Sequence, residues 1–115
     1  MIEAATVTTV MRTLADPTRR AVFERIVISD DISVVELTRV TGVTQDAISQ
    51  HVNSLKQAGL VAERPEGSNV YYHAQPEGIE PLIDWMRHYA ALSHRGAFWR
   101  ERFVNLTTFL NKIDP

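Results

Sequence analysis

Cysteine is absent from the 115-residue chain, which removes disulfides, thiolate metal centres, cysteine nucleophiles and thiol redox sensing together. A basic excess is lacking too. Twelve Lys and Arg stand against fourteen Asp and Glu, a formal charge of −2 at pH 7, so a polyanion would have to be bound by a local patch rather than by the whole surface. No apolar run approaches the ~20 residues that a bilayer-spanning helix needs. The opening MIEAATVTTVMRTLADPTRR mixes acid and Arg among short apolar runs and lacks the basic start and unbroken apolar centre of a signal peptide. The expectation is a soluble, cytoplasmic protein with no membrane partner. Glycine and proline number five each, and neither a repeat nor a Pro/Gly/Ser-rich linker divides the chain. Also missing are a glycine-framed nucleophile, a phosphate loop, an H-E-x-x-H pair and a carboxylate pair in a plausible pocket, so an enzyme is not expected.

What remains is 44% hydrophobic and 23% charged, a balance that fits one compact domain over residues 1–115. Val7, Val10, Met11 and Leu14 follow the i, i+3, i+4, i+7 spacing of an amphipathic helix, predicted over Glu3 to Leu14. Asp16 followed by Pro17 signals the start of a second helix, with Val22, Phe23, Ile26 and Val27 as its inner face and an end near Ser29. Ser33 with Glu36 three residues on predicts a capping box opening a short third helix, which Gly42 stops. After Gly42 and Val43, Thr44 can cap a fourth helix whose Ala47, Ile48, Val52 and Leu55 face inward, with Gly59 as its left-handed terminator. Two short helices joined by a tight glycine-containing turn are the sequence form of a helix-turn-helix.

Behind it, Leu60–Ala62 and Val70–Tyr72 favour strands and flank a turn-rich loop, Pro65 to Asn69, predicting a hairpin. From Glu77 onward Ile79, Leu82, Ile83, Met86 and Ala90 resume helical spacing, with Gly96 as a bend or break. Trp99, Phe103, Leu106, Leu110 and Ile113 then form an a/d-type seam. With Phe109 they carry more apolar bulk than one short terminal helix can bury, and a second copy of the chain is the economical partner; folding back onto its own domain is the alternative.

The outward face of the fourth helix carries Gln45, Asp46, Ser49, Gln50, Asn53 and Lys56. Gln and Asn can bond adenine bidentately, Ser can serve several bases, and Lys can reach a guanine edge or a phosphate. The same residues also suit a plainly solvated helix. His51, beside the inner face, is either a half-buried hydrogen-bonded histidine or a phosphate contact. Arg19 and Arg20 can pin phosphates near the second helix, although Arg19 is better read as structural, paired with Asp16 or Glu24.

LADPTRRAVFERI followed by SVVELTRVTGVTQDAISQHVNSLKQAGLVAERPEGSNVYYHA resembles the winged helix-turn-helix of the ArsR-type transcriptional repressors. The resemblance runs from Leu14 to Ala74 and is most specific at Asp16-Pro17-Thr18-Arg19, Ala47-Ile48-Ser49-Gln50-His51, Ala58-Gly59-Leu60-Val61 and Val70-Tyr71-Tyr72. It implies a mainly α fold with a small β-hairpin, in which residues 14–74 form the helix-turn-helix and wing, and residues 1–14 and 77–113 are dimerisation helices. It implies that the fourth helix enters the major groove of an operator. Thr44, Gln45, Asp46, Ser49, Gln50, His51, Asn53, Lys56 and Arg20 would then be contacts there, with Arg64, Ser68 and Asn69 contacting from the wing. Glu63 and Glu66 beside Arg64 make this wing less basic than is common in the family. The homodimer interface implied uses Val7, Val10, Met11, Leu14, Ile83, Met86, Trp99, Phe103, Leu106 and Leu110.

Many members of that family sense metals, through two cysteines around the third helix or through carboxylates and histidines near the last helix. Here the first positions fall at about Ser33 and Val35, and the second near Pro76, Gly78, Tyr89 and Leu92, none of which forms a usable ligand set. Asp84 and His88 share a helix face, with His94 farther on, and are read as a surface pair; no metal or other cofactor is expected. The FWRERF tail is similar to a subgroup without known metal ligands, leaving an unidentified effector as an open partner. A metal-responsive repressor with Asp and His ligands and a winged-helix module that binds protein are the alternatives to a DNA-binding repressor.

Overall fold

The computed structural model describes the backbone of residues 2–92 and 95–113, and the side chains of residues 6–92, 95–102, 104 and 105. Its chain divides into two compact units, Met1–Pro81 and Leu82–Pro115, each described by itself.

In the first unit, helix α1 spans Ile2–Ala15, a residue longer at each end than the apolar stripe predicts, and a single residue separates it from α2, Pro17–Ile28. Asp16 makes that corner. Its backbone is extended, its carboxylate accepts the Arg19 N–H at 2.8 Å, and Pro17 follows as the first helical residue, where a missing N–H costs nothing. The Arg20 guanidinium closes the other side by donating to the Leu14 carbonyl at 2.9 Å, one of the acceptors that a helix C-terminus leaves open. Val22 and Ile26 are fully buried and Phe23 is half-buried, but Val27 is exposed. At 100° per residue Val27 stands about 140° around the helix from Val22, outside the buried arc.

A two-residue strand, β1 (Ile32–Ser33), leads into α3, Val34–Thr41. The Ser33 hydroxyl accepts the Glu36 N–H at 3.1 Å. The reciprocal half of the expected capping box does not form, because the Glu36 carboxylate turns to the Arg39 guanidinium one turn on. The hydrogen bond from Arg39, with its charge adding, holds the Glu36 carboxyl below its ordinary value. Gly42, at φ 74°, ends α3. The Thr41 hydroxyl then accepts the Val43 N–H at 3.2 Å, and the Thr44 hydroxyl accepts the Ala47 N–H at 3.3 Å to open α4, Gln45–Gln57.

Helix α4 ends in a Schellman motif: Gly59 N–H donates to the Lys56 carbonyl and Leu60 N–H to the Leu55 carbonyl, each at 3.0 Å, with Gly59 at φ 78°. Leu55 and Leu60 are both fully buried, the apolar contact that accompanies this geometry. Strands β2 (Val61–Glu66) and β3 (Asn69–Ala74) form the hairpin, and β1 pairs with the far edge of β3, giving the antiparallel order β1-β3-β2. The expected loop is mostly strand. Pairing runs to Glu66 opposite Asn69, leaving only Gly67 and Ser68 as the turn. Gly67 has φ 62° and Ser68 is not left-handed, which fits a type II′ turn. Pro65 is tolerated because β2 is an edge strand. Strand β1 was not anticipated, since two residues are too few to show a period of two.

Helix α2 packs on α1, α3, α4 and β3. Val22, Ile26, Leu37, Ile48, Val52, Leu55, Leu60 and Val61 are all sealed from solvent. A 3₁₀ turn, Pro76–Ile79, follows the hairpin where the spacing predicted helix from Glu77, and α5 runs Glu80–Leu92. In the second unit α6 is Gly96–Ile113. Gly96 therefore starts a helix rather than bending one. Trp85 stacks on Tyr89 with ring centres 5.8 Å apart, Phe98 meets Trp99 edge-on at 5.1 Å, and the Arg102 guanidinium lies 3.2 Å over Phe98.

Candidate nucleic-acid interface

The helical repeat divides α4 cleanly. Ile48, Val52 and Leu55 are buried, and Ala47 is half-buried. Gln45, Asp46, Ser49, Gln50, Asn53 and Lys56 are exposed on the opposite arc. Among the described residues, the side chains of Gln45, Asp46, Ser49, Gln50 and Asn53 have no hydrogen-bond partner within the chain, so donors and acceptors of both kinds stand ready for an outside surface. Thr44 is different, because its hydroxyl is committed to the helix cap. So is His51, which is half-buried and lies near the α2 N-cap. The Arg19 N–H, chiefly, and the charges of Arg19 and His51 hold the Asp16 carboxyl below its usual value.

The expected pairing of the Arg19 side chain with Asp16 or Glu24 does not form. Arg19 supplies its backbone N–H to Asp16, and its buried Nε has no hydrogen-bond partner. Arg20 is exposed but engaged with the Leu14 carbonyl.

The two faces of the hairpin each hold a charge group. Opposed residues in an antiparallel pair share a face, so Glu63 and Tyr72 lie on one side and Arg64 and Tyr71 on the other. On the first side Lys56, from the last turn of α4, places Nζ 3.0 Å from a Glu63 carboxylate oxygen. Tyr72 shares that corner. Burial pushes its phenol up, with the Glu63 charge adding and Lys56 opposing. On the second side the Arg64 guanidinium reaches Glu66 at 3.0 Å and Asp31 at 3.3 Å, and lies 5.1 Å over the Tyr71 ring. His73 Nδ1 stands 3.7 Å from the same Asp31. Ser68 and Asn69 sit exposed at the tip. Asp31 was missed at the sequence level, since 33 residues separate it from Arg64 and only the β1–β3 pairing brings them together.

Of the interface positions read from the sequence, Val7 and Val10 are buried within the chain itself, Val10 completely. Val10 has no surface left for a partner to cover, and Val7 keeps 8% of its own. Met11 is 40% exposed, Leu14 and Ile83 are half-buried, Met86 is 40% exposed and Trp99 39%. Phe103, Leu106 and Leu110 have side chains outside the described residues, as do Phe109 and Ile113. Trp85 and Tyr89, which the spacing did not single out, are 47% and 60% exposed. Asp84 faces Arg87 at 3.7 Å rather than His88, and His94 lies outside the described residues. No group of three His, Cys, Asp or Glu suited to a metal occurs among the described residues. No described helix is long and apolar enough to cross a membrane.

Residues 14–64 match a helix-turn-helix domain family. A helix-turn-helix transcriptional regulator of Mycobacterium tuberculosis is 44% identical over 69 residues, 60% of this chain and 64% of that protein. An arsenic resistance transcriptional regulator of Pseudomonas putida is 36% identical over 86 residues, 75% of this chain and 66% of that protein. The matches thus span just under two thirds of each relative's length. The fold is shared with an ArsR-like transcriptional regulator from Rhodococcus sp. RHA1, at a TM-score of 0.72 and 23% identity, over 95% of this chain and 96% of that one. A capped helix-turn-helix with a hairpin pinned behind it is thus similar in sequence to helix-turn-helix transcriptional regulators, an arsenic resistance regulator among them, and shares its fold with an ArsR-like one.

Proposed function

We propose that the chain is a sequence-specific DNA-binding transcriptional regulator, acting as a homodimeric repressor on an imperfectly palindromic operator in the cytoplasm. The observation that carries this is the row of exposed side chains on α4 with no partner in the chain, Gln45, Asp46, Ser49, Gln50 and Asn53, on a helix whose other face is locked into the core. Gln50 and Asn53 are the amides best suited to adenine edges, and Ser49 to several bases. Phosphate contacts fall to Lys56, Arg64 and Arg20, with Ser68 and Asn69 at the wing tip. Two such units place their recognition helices in successive major grooves roughly 34 Å apart, and a dimer seated there excludes other proteins from the same stretch. Exposed Met11, Met86 and Trp99 support terminal helices as the dimer contact. The reading needs no cofactor, metal or catalytic step.

Gel shifts on DNA upstream of the protein's own coding region test it. Gln50→Ala should weaken operator binding by about 1–3 kcal/mol while leaving binding to arbitrary DNA nearly unchanged. Equal loss on both would remove Gln50 from base readout, and no binding to any DNA would favour a protein-binding module.

A further inference from the structure

The cations that should meet phosphate are already occupied. Lys56 is held by Glu63, and Arg64 is held by both Glu66 and Asp31. Each pair joins the reading surface to a neighbouring position on the sheet or its base, and each is exposed enough for water and salt to reach it. Ion pairs of this kind are weak individually, so they can exchange partners. They still cancel the charge that would otherwise release counterions from DNA.

We propose that Glu63 on one face of the wing, and Glu66 with Asp31 on the other, are built-in competitors of the DNA phosphates. They set the protein's sequence-independent affinity by holding Lys56 and Arg64 until a better anion displaces them. The proposal rests on the DNA-binding reading above. Lys56 leaves a carboxylate for a phosphate, and the carboxylate left behind then repels the same backbone, so the exchange yields much less than a free lysine would. A correct operator supplies the additional base contacts on α4 that make the exchange worthwhile, whereas arbitrary DNA supplies none. Discrimination is thereby raised by weakening the wrong complex rather than by strengthening the right one.

The test is fluorescence anisotropy with a short labelled duplex of arbitrary sequence across a salt series. Glu63→Gln should tighten this binding by about 3- to 10-fold at low salt and steepen the log–log salt slope by about one unit. Glu66→Gln should act in the same direction through Arg64, which provides a second reading should Glu63→Gln disturb the hairpin. The gain from Glu63→Gln must vanish when Lys56→Gln is made in the same chain. If it persists undiminished there, the effect is net charge alone and the proposal fails. It fails equally if the parent binds arbitrary DNA and neither carboxylate variant binds it more tightly. Absence of binding by the parent and both variants at low salt would overturn the DNA-binding reading itself.

Discussion

Gly78 is the residue whose replacement by alanine should tell most about how α4 is held. A Cβ built there would lie 2.2 Å from the Gly59 carbonyl oxygen, 2.8 Å from its carbon and 3.0 Å from the Leu60 Cα. All three are backbone atoms, so no side chain can rotate away, and relief requires a separation of roughly 1 Å more. Gly59 cannot drift freely either, because it terminates α4 at φ 78° while the next N–H is bonded to Leu55, and the Leu60 carbonyl accepts from Gln75 at 2.9 Å. Overpacking against a fixed backbone costs about 1–3 kcal/mol. A chain of this length has an unfolding entropy of roughly 0.24 kcal/mol/K, so Gly78→Ala should lower Tm by about 4–12 °C. Thermal melting by far-ultraviolet circular dichroism measures it, with Gly67→Ala as the comparison. At Gly67 a Cβ meets nothing within 4 Å, and only the left-handed backbone resists substitution, at about 1–2 kcal/mol. If Gly78→Ala melts with the parent protein, the 3₁₀ turn does not brace the end of α4 and the reasoning is wrong.

Leu55→Ala, at a fully buried site on the inner face of α4, should lose about 2–5 kcal/mol, read as a lowered urea midpoint with an unchanged slope. Asp16 and Glu36 both have native carboxyls held below their ordinary values of 3.8 and 4.5, so the native state binds fewer protons than the unfolded one in acid. The stability they contribute is present above those ordinary values and is lost as pH falls through the lower native ones. A Tm profile from neutral pH downward should therefore drop in that window, and Asp16→Asn should flatten part of the drop; a profile identical to the parent's would exclude Asp16 from it. Zinc or cadmium should leave operator affinity unchanged in anisotropy titrations, and a stoichiometric metal effect abolished by His88→Ala would restore the metal-responsive alternative.

The elements governed by local chemistry were readable from residues alone. Asp16-Pro17, Thr44 and Gly59 each fix a helix boundary through a bond or a φ value made within a few positions. Reading failed where one residue had two competing partners or where pairing between strands decided the outcome. Glu36 abandoned the capping box for Arg39, β1 exists only because β3 lies beside it, and the loop at Pro65 became strand because pairing continued to Glu66. Val10 shows the same limit at the proposed dimer contact, since an apolar stripe does not say whether its own chain or a second copy will cover it. The outward face of α4 was legible because period alone separates it from Ile48, Val52 and Leu55. The ion pairs that occupy Lys56 and Arg64 were not, because Asp31 reaches the wing only through the fold.

Ser33 belongs to two structures at once, as the last residue of β1 opposite Tyr71 and as the cap of α3. The base of the wing is therefore bolted to the first helix of the helix-turn-helix, while beyond Tyr71 the hairpin projects about three residues, roughly 10 Å, as a two-stranded arm. The angle between the wing's root and the helix-turn-helix is built into a shared residue, so any surface that docks on both at once has to conform to that angle.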